Sequence, residues 1–219
     1  MKILITGSSK GIGLAVAKIF IEKNYEVIGI DKLPSSISDI RYKHYQVDVR
    51  NKEALPSLKG INYIFNNAGV QNEDDIEVNL VGAINITEKY AFEDSIKAVL
   101  FNASASARSG FEFPNYVASK AGLVGYMKNV AVRLAKNKAI ANSISLGGVI
   151  TDSNDPVMKD EKCFKKIMDA TPLKKWTTLE EVCEWVYFLL VVNKSMSGQD
   201  LLIDNGEYGL NSTFVWPEY

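Results

Sequence analysis

KILITGSSKGIG, residues 2–13, joins a short apolar run to a turn that holds three glycines. Residues 2–6 (KILIT) are apolar without interruption after the first lysine, as expected of a strand buried on both faces. Residues 11–24 follow, with Ile12, Val16, Ile19 and Phe20 at helical spacing. Between the two, Gly7, Gly11 and Gly13 permit a tight turn and let the backbone come close to a pyrophosphate. The unpaired N–H groups and the positive dipole end of the helix start would meet that charge. The spacing is G-x-x-x-G-x-G, not G-x-G-x-x-G, and an ordinary glycine-rich strand-to-helix turn reads the same way in isolation.

The pattern continues outward from this unit. Further β-type runs lie at residues 26–31 (EVIGID), 45–49 (YQVDV), 61–65 (INYIF), 98–102 (AVLFN), 139–144 (AIANSI) and 200–203 (DLLI). Helical patterns occupy residues 74–92, 115–136 and 179–192. Apolar strands alternating with helices imply an α/β fold: a Rossmann-type, doubly wound, mostly parallel seven-stranded sheet with helices on both faces. The 219 residues form a single dinucleotide-binding domain, 1–219, with no repeat or linker. Residues 33–38 (LPSSIS) are turn-like and leave little room for a helix between the second and third strands.

Composition narrows the function. Apolar residues make up 47%, enough for a sizeable core, and the net charge is −1 with acids and bases interspersed, which gives no footprint for nucleic acid and no polybasic membrane patch. The N-terminal apolar run is too short for a signal peptide, and no run reaches transmembrane length. A soluble, cytoplasmic protein is expected. Cys163 and Cys183 lack metal-ligand spacing and read as reduced, partly buried thiols. With His44 as the sole histidine, a Ser-His-Asp triad or a multi-histidine metal site is not expected, and no metal is assigned.

Two further positions carry chemistry. Asp31 ends the second strand, where a carboxylate accepts from both hydroxyls of an adenosine ribose and repels a 2′-phosphate. NAD is therefore expected in preference to NADP, although Lys10 and Lys32 offset part of the repulsion; a solvated Asp at a turn is the plainer alternative. YVASK, residues 116–120, sits early in a helix, so Tyr116 and Lys120, four apart, share a face. A free tyrosine titrates near 10. A neighbouring ammonium favours its phenolate, and the phenol can then exchange a proton with a carbonyl or alcohol oxygen.

TGSSKGIG, the Asn66-Asn67-Ala68-Gly69 block (NNAG) and YVASK together resemble the short-chain dehydrogenase/reductase family, and the resemblance runs over nearly the whole chain. It implies that Ser9, Lys10 and Ile12 join the three glycines around the cofactor, that Asp48 and Val49 meet the adenine, and that Asn67, Ala68 and Gly69 line the dinucleotide while Asn66 steadies the sheet. Asp48 reads equally well as a helix N-cap. The resemblance gives Lys120 a second bond, to the nicotinamide ribose. It implies a serine at the end of the fifth strand, Ser104 by position with Ser106 in reserve, and a helical Asn79 that holds a proton-relaying water. Val149 and Thr151 match positions that contact the nicotinamide carboxamide, although Leu146-Gly147 stands where the family has Pro-Gly.

The chain departs from the family in a short segment between Asn67 and Asn79, which implies a cleft open on one side. Residues 152–171 are expected to form a mobile lid, with Met158, Phe164 and Met168 as apolar contacts or core. Ala105, Arg108, Phe111 and Phe113 border the expected substrate pocket, with Arg108 either pairing with an acidic substrate or solvated. The aromatic end, Phe214 to Tyr219, reads as a flap over a pocket or a subunit contact. Surplus apolar residues on the helices (Leu80, Ile84, Ile86, Leu123, Val124, Met127, Val130) imply a homodimer or homotetramer. The expected activity is hydride transfer between NAD(H) and a small-molecule carbonyl or secondary alcohol. A non-catalytic nucleotide sensor or scaffold, and a methyltransferase, are the competing readings.

Overall fold

The computed structural model describes residues 1–210; the aromatic end from Phe214 to Tyr219 lies outside the described residues. The strands are β1 (Lys2–Thr6), β2 (Glu26–Asp31), β3 (Tyr42–Gln46), β4 (Tyr63–Asn66), β5 (Ala98–Asn102), β6 (Ile140–Leu146) and β7 (Asp200–Ile203). The helices are α1 (Gly11–Glu22), α2 (Gly82–Tyr90), α3 (Ser106–Ser109), α4 (Pro114–Leu134), α5 (Asp155–Lys159), α6 (Glu161–Ala170) and α7 (Leu179–Tyr187). All strand pairs are parallel, in the order β3-β2-β1-β4-β5-β6-β7. The winding reverses between β1 and β4, and a crevice opens beyond their carboxyl ends, where open α/β sheets take ligands.

Two apolar layers hold the sheet. Ile3 and Ile5 of β1 pack with Val16 and Phe20 of α1 and Val182 and Val186 of α7. Leu4, pointing the other way, packs with Ile86 of α2 and Leu123 and Met127 of α4. Burial on both faces is why β1 carries no polar alternation. Each such side chain contributes roughly 1.5–3 kcal/mol by leaving water.

The third strand is displaced from expectation. It runs Tyr42–Gln46, with Val27 opposite Tyr42 and Asp31 opposite Gln46, rather than over residues 45–49. As the edge strand it exposes one side, so Lys43, His44 and Gln46 belong in it. The apolar Val47 and Val49 suggested the later register. Val49 instead leaves the strand and packs onto α2, where a Cβ on Gly82 would stand 2.5 Å from its Cγ2. Strands four and six shift by one or two residues, to Tyr63–Asn66 and Ile140–Leu146.

The crossover from β2 to β3 has no helix, as the turn-like residues 33–38 foretold. The loop is fastened by side chains instead: Ser36 Oγ donates to Ser9 O (2.7 Å), and Tyr42 OH joins Ser8 Oγ (2.9 Å) and His44 Nδ1 (3.1 Å).

Two expected helices are not α-helical throughout. Residues 74–92 begin with π-helical turns at Ile76–Val81, and residues 179–192 end with them at Phe188–Val192. α7 starts at a capping box in which Thr178 and Glu181 satisfy each other's backbone N–H groups. The region expected as a lid carries α5 and α6, and Phe164 packs edge-on against Trp176 with ring centroids 5.1 Å apart. Cys183 is buried on α7, whereas Cys163 is exposed on α6, contrary to the expectation of two partly buried thiols. α6 lies on the surface with no fully buried residue, so its apolar positions do not hide the thiol.

Candidate active site

The site is built on strand ends. Thr6, last in β1, accepts N–H bonds at its Oγ1 from both Asn67 and Ala68 (2.9 Å each). Asn67 returns a bond from Nδ2 to Thr6 O (3.0 Å), and its Oδ1 accepts from Asn102 Nδ2 (2.9 Å). Three strand ends are thus tied across the crevice. Asn66 stays in the sheet and donates to Thr87 Oγ1 (3.1 Å). Gly7 has φ +68°, and a Cβ there would stand 2.9 Å from Ala68 Cα. Only glycine fits both the backbone and the gap.

A cavity of about 600 Å³ runs along these ends. The glycine turn contributes Gly7, Lys10, Gly11 and Ile12, and the segment after β4 contributes Asn67, Ala68 and Gly69. Asp31, Asp48 and Val49 line one end, and Tyr116, Lys120 and Thr151 also line the cavity.

Three residues expected against the cofactor do not line it. Ser9 is buried beneath the loop after β2, donating its N–H to Asp31 Oδ2 (2.9 Å). Gly13 sits under the turn, where a Cβ would come within 2.1 Å of Gly7 O, so its part is close packing. Val149 is buried in the core, and its carbonyl accepts from Asn154 Nδ2 (2.7 Å). The missing proline before Gly147 does not disturb the strand, which continues through Leu146.

Asp31 is nearly buried, with one carboxylate oxygen accepting from Ser9 N and the other from Leu33 N (2.9 Å each). Asp48 binds the Arg50 guanidinium (2.7 Å), which with the Arg50 N–H holds its carboxyl below the ordinary range. The N-cap reading for Asp48 is not met, because Asn51 caps the short helical turn that follows. The groups present fit a dinucleotide. No side chain caps the start of α1, so its first N–H groups are left for an anion. Asn102 Oδ1 is buried without a partner among the described residues.

At the catalytic end, Pro114 opens α4 and sets Tyr116 and Lys120 in its first two turns. Lys120 Nζ donates to Asn102 O (2.8 Å) and stands 5.5 Å from the centre of the Tyr116 ring. Burial lowers the lysine to about 8, against the opposing fields of Asp75 and Glu112. Burial also raises the Tyr116 phenol to about 12; the contact with Ser104 works against this, while Glu112 and Asp75 add to it. The protein alone therefore does not lower the phenol as the sequence suggested. Removal from water is the dominant cause.

Ser104 takes the position beside Tyr116. Ser106, the reserve, lies behind it and donates from Oγ to Ser104 Oγ (2.7 Å). Asn79 is buried in the π-helical turns, with its side chain committed to protein: Oδ1 accepts from Val70 N (2.8 Å), and Nδ2 donates to Val70 O and Ser119 Oγ (3.0 Å each). This fastens the shortened segment to α4. Arg108 is exposed, as the solvated reading expected, but it is not free for an acidic substrate, because its guanidinium binds Asp200 through Nε (2.8 Å) and a second bond to the Asp200 carbonyl.

Sequence reading missed Thr6 and Asn102, although both end strands that point at the crevice. It also missed Asp75 and Glu112, which no motif marks.

A family model described as enoyl-(acyl carrier protein) reductase matches residues 7–207. Among curated relatives, carbonyl reductase family member 4 of Xenopus laevis is 28% identical over 92% of this chain and 95% of its own. A 3-oxoacyl-[acyl-carrier-protein] reductase of Buchnera aphidicola is 26% identical over 93% and 96%. Among solved structures, a 4-hydroxyisoleucine dehydrogenase mutant complexed with NADH and succinate superposes with TM-score 0.88 at 25% identity, covering 97% of this chain and all of the other. A short-chain dehydrogenase family protein from Francisella tularensis gives 0.84 at 26%, over 95% and 99%.

Proposed function

The chain belongs to the short-chain dehydrogenase/reductase family and is an NAD(P)-dependent oxidoreductase acting on CH–OH and C=O groups; from that premise we propose that it moves hydride between NAD(H) and a small-molecule ketone or secondary alcohol, with Tyr116 handling the proton. The observation that carries this is that Tyr116 and Lys120 line the same cavity as Asp31, with Ser104 in contact with the Tyr116 phenol. In the direction of reduction, the Tyr116 phenol donates its proton to the substrate oxygen, which Ser104 steadies. Lys120, protonated below about 8, stabilises the phenolate left behind. The cofactor, when bound, supplies or accepts the hydride and, in its oxidised form, adds a positive charge near the phenol.

NAD is preferred to NADP in this reading, since Asp31 offers its carboxylate where a 2′-phosphate would sit. Lys10 and Lys32 line the same cavity and keep that preference moderate. The enzyme is taken to work as a homodimer or homotetramer in the cytoplasm, on small molecules rather than nucleic acid or membranes. No helix among the described residues is long and apolar enough to cross a membrane. The methyltransferase reading falls with family membership, and no observation favours a non-catalytic sensor.

The test follows cofactor absorbance over a panel of ketones and secondary alcohols. Turnover of at least one is expected. A protein that binds cofactor tightly and turns over none would sink the proposal.

A further inference from the structure

The two walls of the catalytic end meet through one polar contact. Gln71, on the segment after β4, lines the cavity and donates from Nε2 to Glu112 Oε2 (2.8 Å) on the loop ahead of α4. Glu112 lies four residues before Tyr116 and is held at φ +84°, a left-handed conformation that non-glycine residues seldom adopt. Behind Gln71, Asp75 is 2% exposed. One of its oxygens accepts from Asn72 N (3.1 Å) and the other is buried without a partner among the described residues. Both carboxylates lie close enough for their fields to reach Tyr116 and Lys120. From the other side, Tyr208 packs near Phe111 with ring centroids 6.3 Å apart, next to Glu207, a third acid.

Cations are scarce at this end. Lys10, Lys32 and Lys120 are the basic residues lining the cavity; the first two stand with the glycine turn and Asp31, and Lys120 is bonded to Asn102 O. Arg108 is spent on Asp200. Among the described residues that line the cavity, no unbonded cation faces an anionic substrate at this end, whereas a protonated amine would find the Glu112 carboxylate beside the cavity-lining Gln71.

We propose that the substrate is a small secondary alcohol or ketone carrying a protonated amino group, and that Glu112, bracketed by Gln71, is the residue that selects it. This rests on the oxidoreductase reading of Tyr116 and Lys120. The reaction balances as in any alcohol oxidation. The carbinol carbon gives a hydride to NAD+, the hydroxyl gives its proton to Tyr116, and the ketone, NADH and one proton result. The ammonium takes no part in bond changes and serves to hold the substrate.

The experiment uses three alcohols that share one CH(OH)CH3 group: 1-amino-2-propanol, 1,2-propanediol and lactate. NAD+ reduction is followed with each, and each is also titrated into the NADH-loaded protein by thermal melting. The amine is expected to lead in kcat/KM and in melting shift, with lactate last. Glu112→Gln should cut the amine-to-diol ratio by about tenfold in both readouts, and Glu207→Gln by less. A preference for lactate, equal response to the three, no response to any, or an amine-to-diol ratio unmoved in Glu112→Gln would each overturn the proposal. A melting preference for the amine without turnover would support the selectivity and count against the redox reading instead.

Discussion

At the scale of single residues, the site sets burial against charge. Lys120 titrates at about 8 in the folded chain against an ordinary 10.5. Between those values the unfolded chain binds the extra proton, so stability rises with pH across that window. The cost of burying the ammonium is fully present below about 8 and disappears above 10.5. Lys120→Met should therefore be the more stable protein at pH 7, by roughly 1–3 kcal/mol in urea unfolding, with the difference shrinking toward pH 10. It should also lose turnover. A constant difference across pH would mean that the lysine is not desolvated as described.

Tyr116→Phe removes the titrating oxygen and keeps the ring. Turnover should fall by roughly 10²–10⁴-fold with cofactor affinity retained. Near-normal turnover with intact cofactor binding would remove Tyr116 from the chemistry. Asp31→Asn keeps the shape of the side chain and deletes the charge. NADPH should then gain on NADH by about tenfold in fluorescence titrations. Tighter NADPH binding by the unmutated protein would reverse the cofactor assignment.

At the scale of elements, the sequence was most legible where an element is buried on both sides or carries a motif. β1, β2 and β5 lie where their unbroken apolar runs place them. β3 was misplaced because an edge strand has one wet face, and its polar Lys43 and His44 look like loop. The π-helical turns at Ile76–Val81 were invisible because they keep helical dihedrals and apolar spacing, differing only in which carbonyl each N–H meets. The glycine turn, NNAG and YVASK marked the two ends of the cavity. Ser9, Gly13 and Val149, which the motifs also marked, stand outside the lining of the cavity. Glu112 and Asp75 were unreadable because their part depends on a chain approach that no local pattern encodes.

Asn79 shows what such support is worth. It ties the short segment at Val70 to α4 through Ser119. Asn79→Leu leaves the Val70 backbone groups and the Ser119 hydroxyl short of partners. Urea unfolding should show a loss of about 1–3 kcal/mol, accompanied by a drop in kcat. An unchanged midpoint would mean that the segment holds itself.

At the scale of the whole molecule, the helix faces expected to join subunits are largely taken up by the core. Of the seven apolar residues taken as surplus, Ile86, Leu123, Met127 and Val130 are buried in the core. What the surface offers instead is Val132 on α4, 76% exposed, and the row Trp185, Phe188 and Val192 along α7 and the turns after it, 40%, 41% and 54% exposed. Apolar rows of this kind mark contacts between chains. Light scattering at micromolar concentration should give two or four times the 24.3 kDa chain mass. A monomer would leave that row for another partner.

The strap that replaces a helix between β2 and β3 has a spectroscopic consequence. His44 Nε2 meets the Leu33 carbonyl at 3.0 Å, and a carbonyl can only accept. Nε2 is therefore a donor, and in a neutral imidazole Nδ1 would accept from Tyr42, leaving the Tyr42 oxygen to accept from Ser8. The chain contains no other histidine. One imidazole resonance, assignable without a single mutation, thus reports on the loop beside Asp31. It should move when a nucleotide enters and stay still when only the catalytic end is filled.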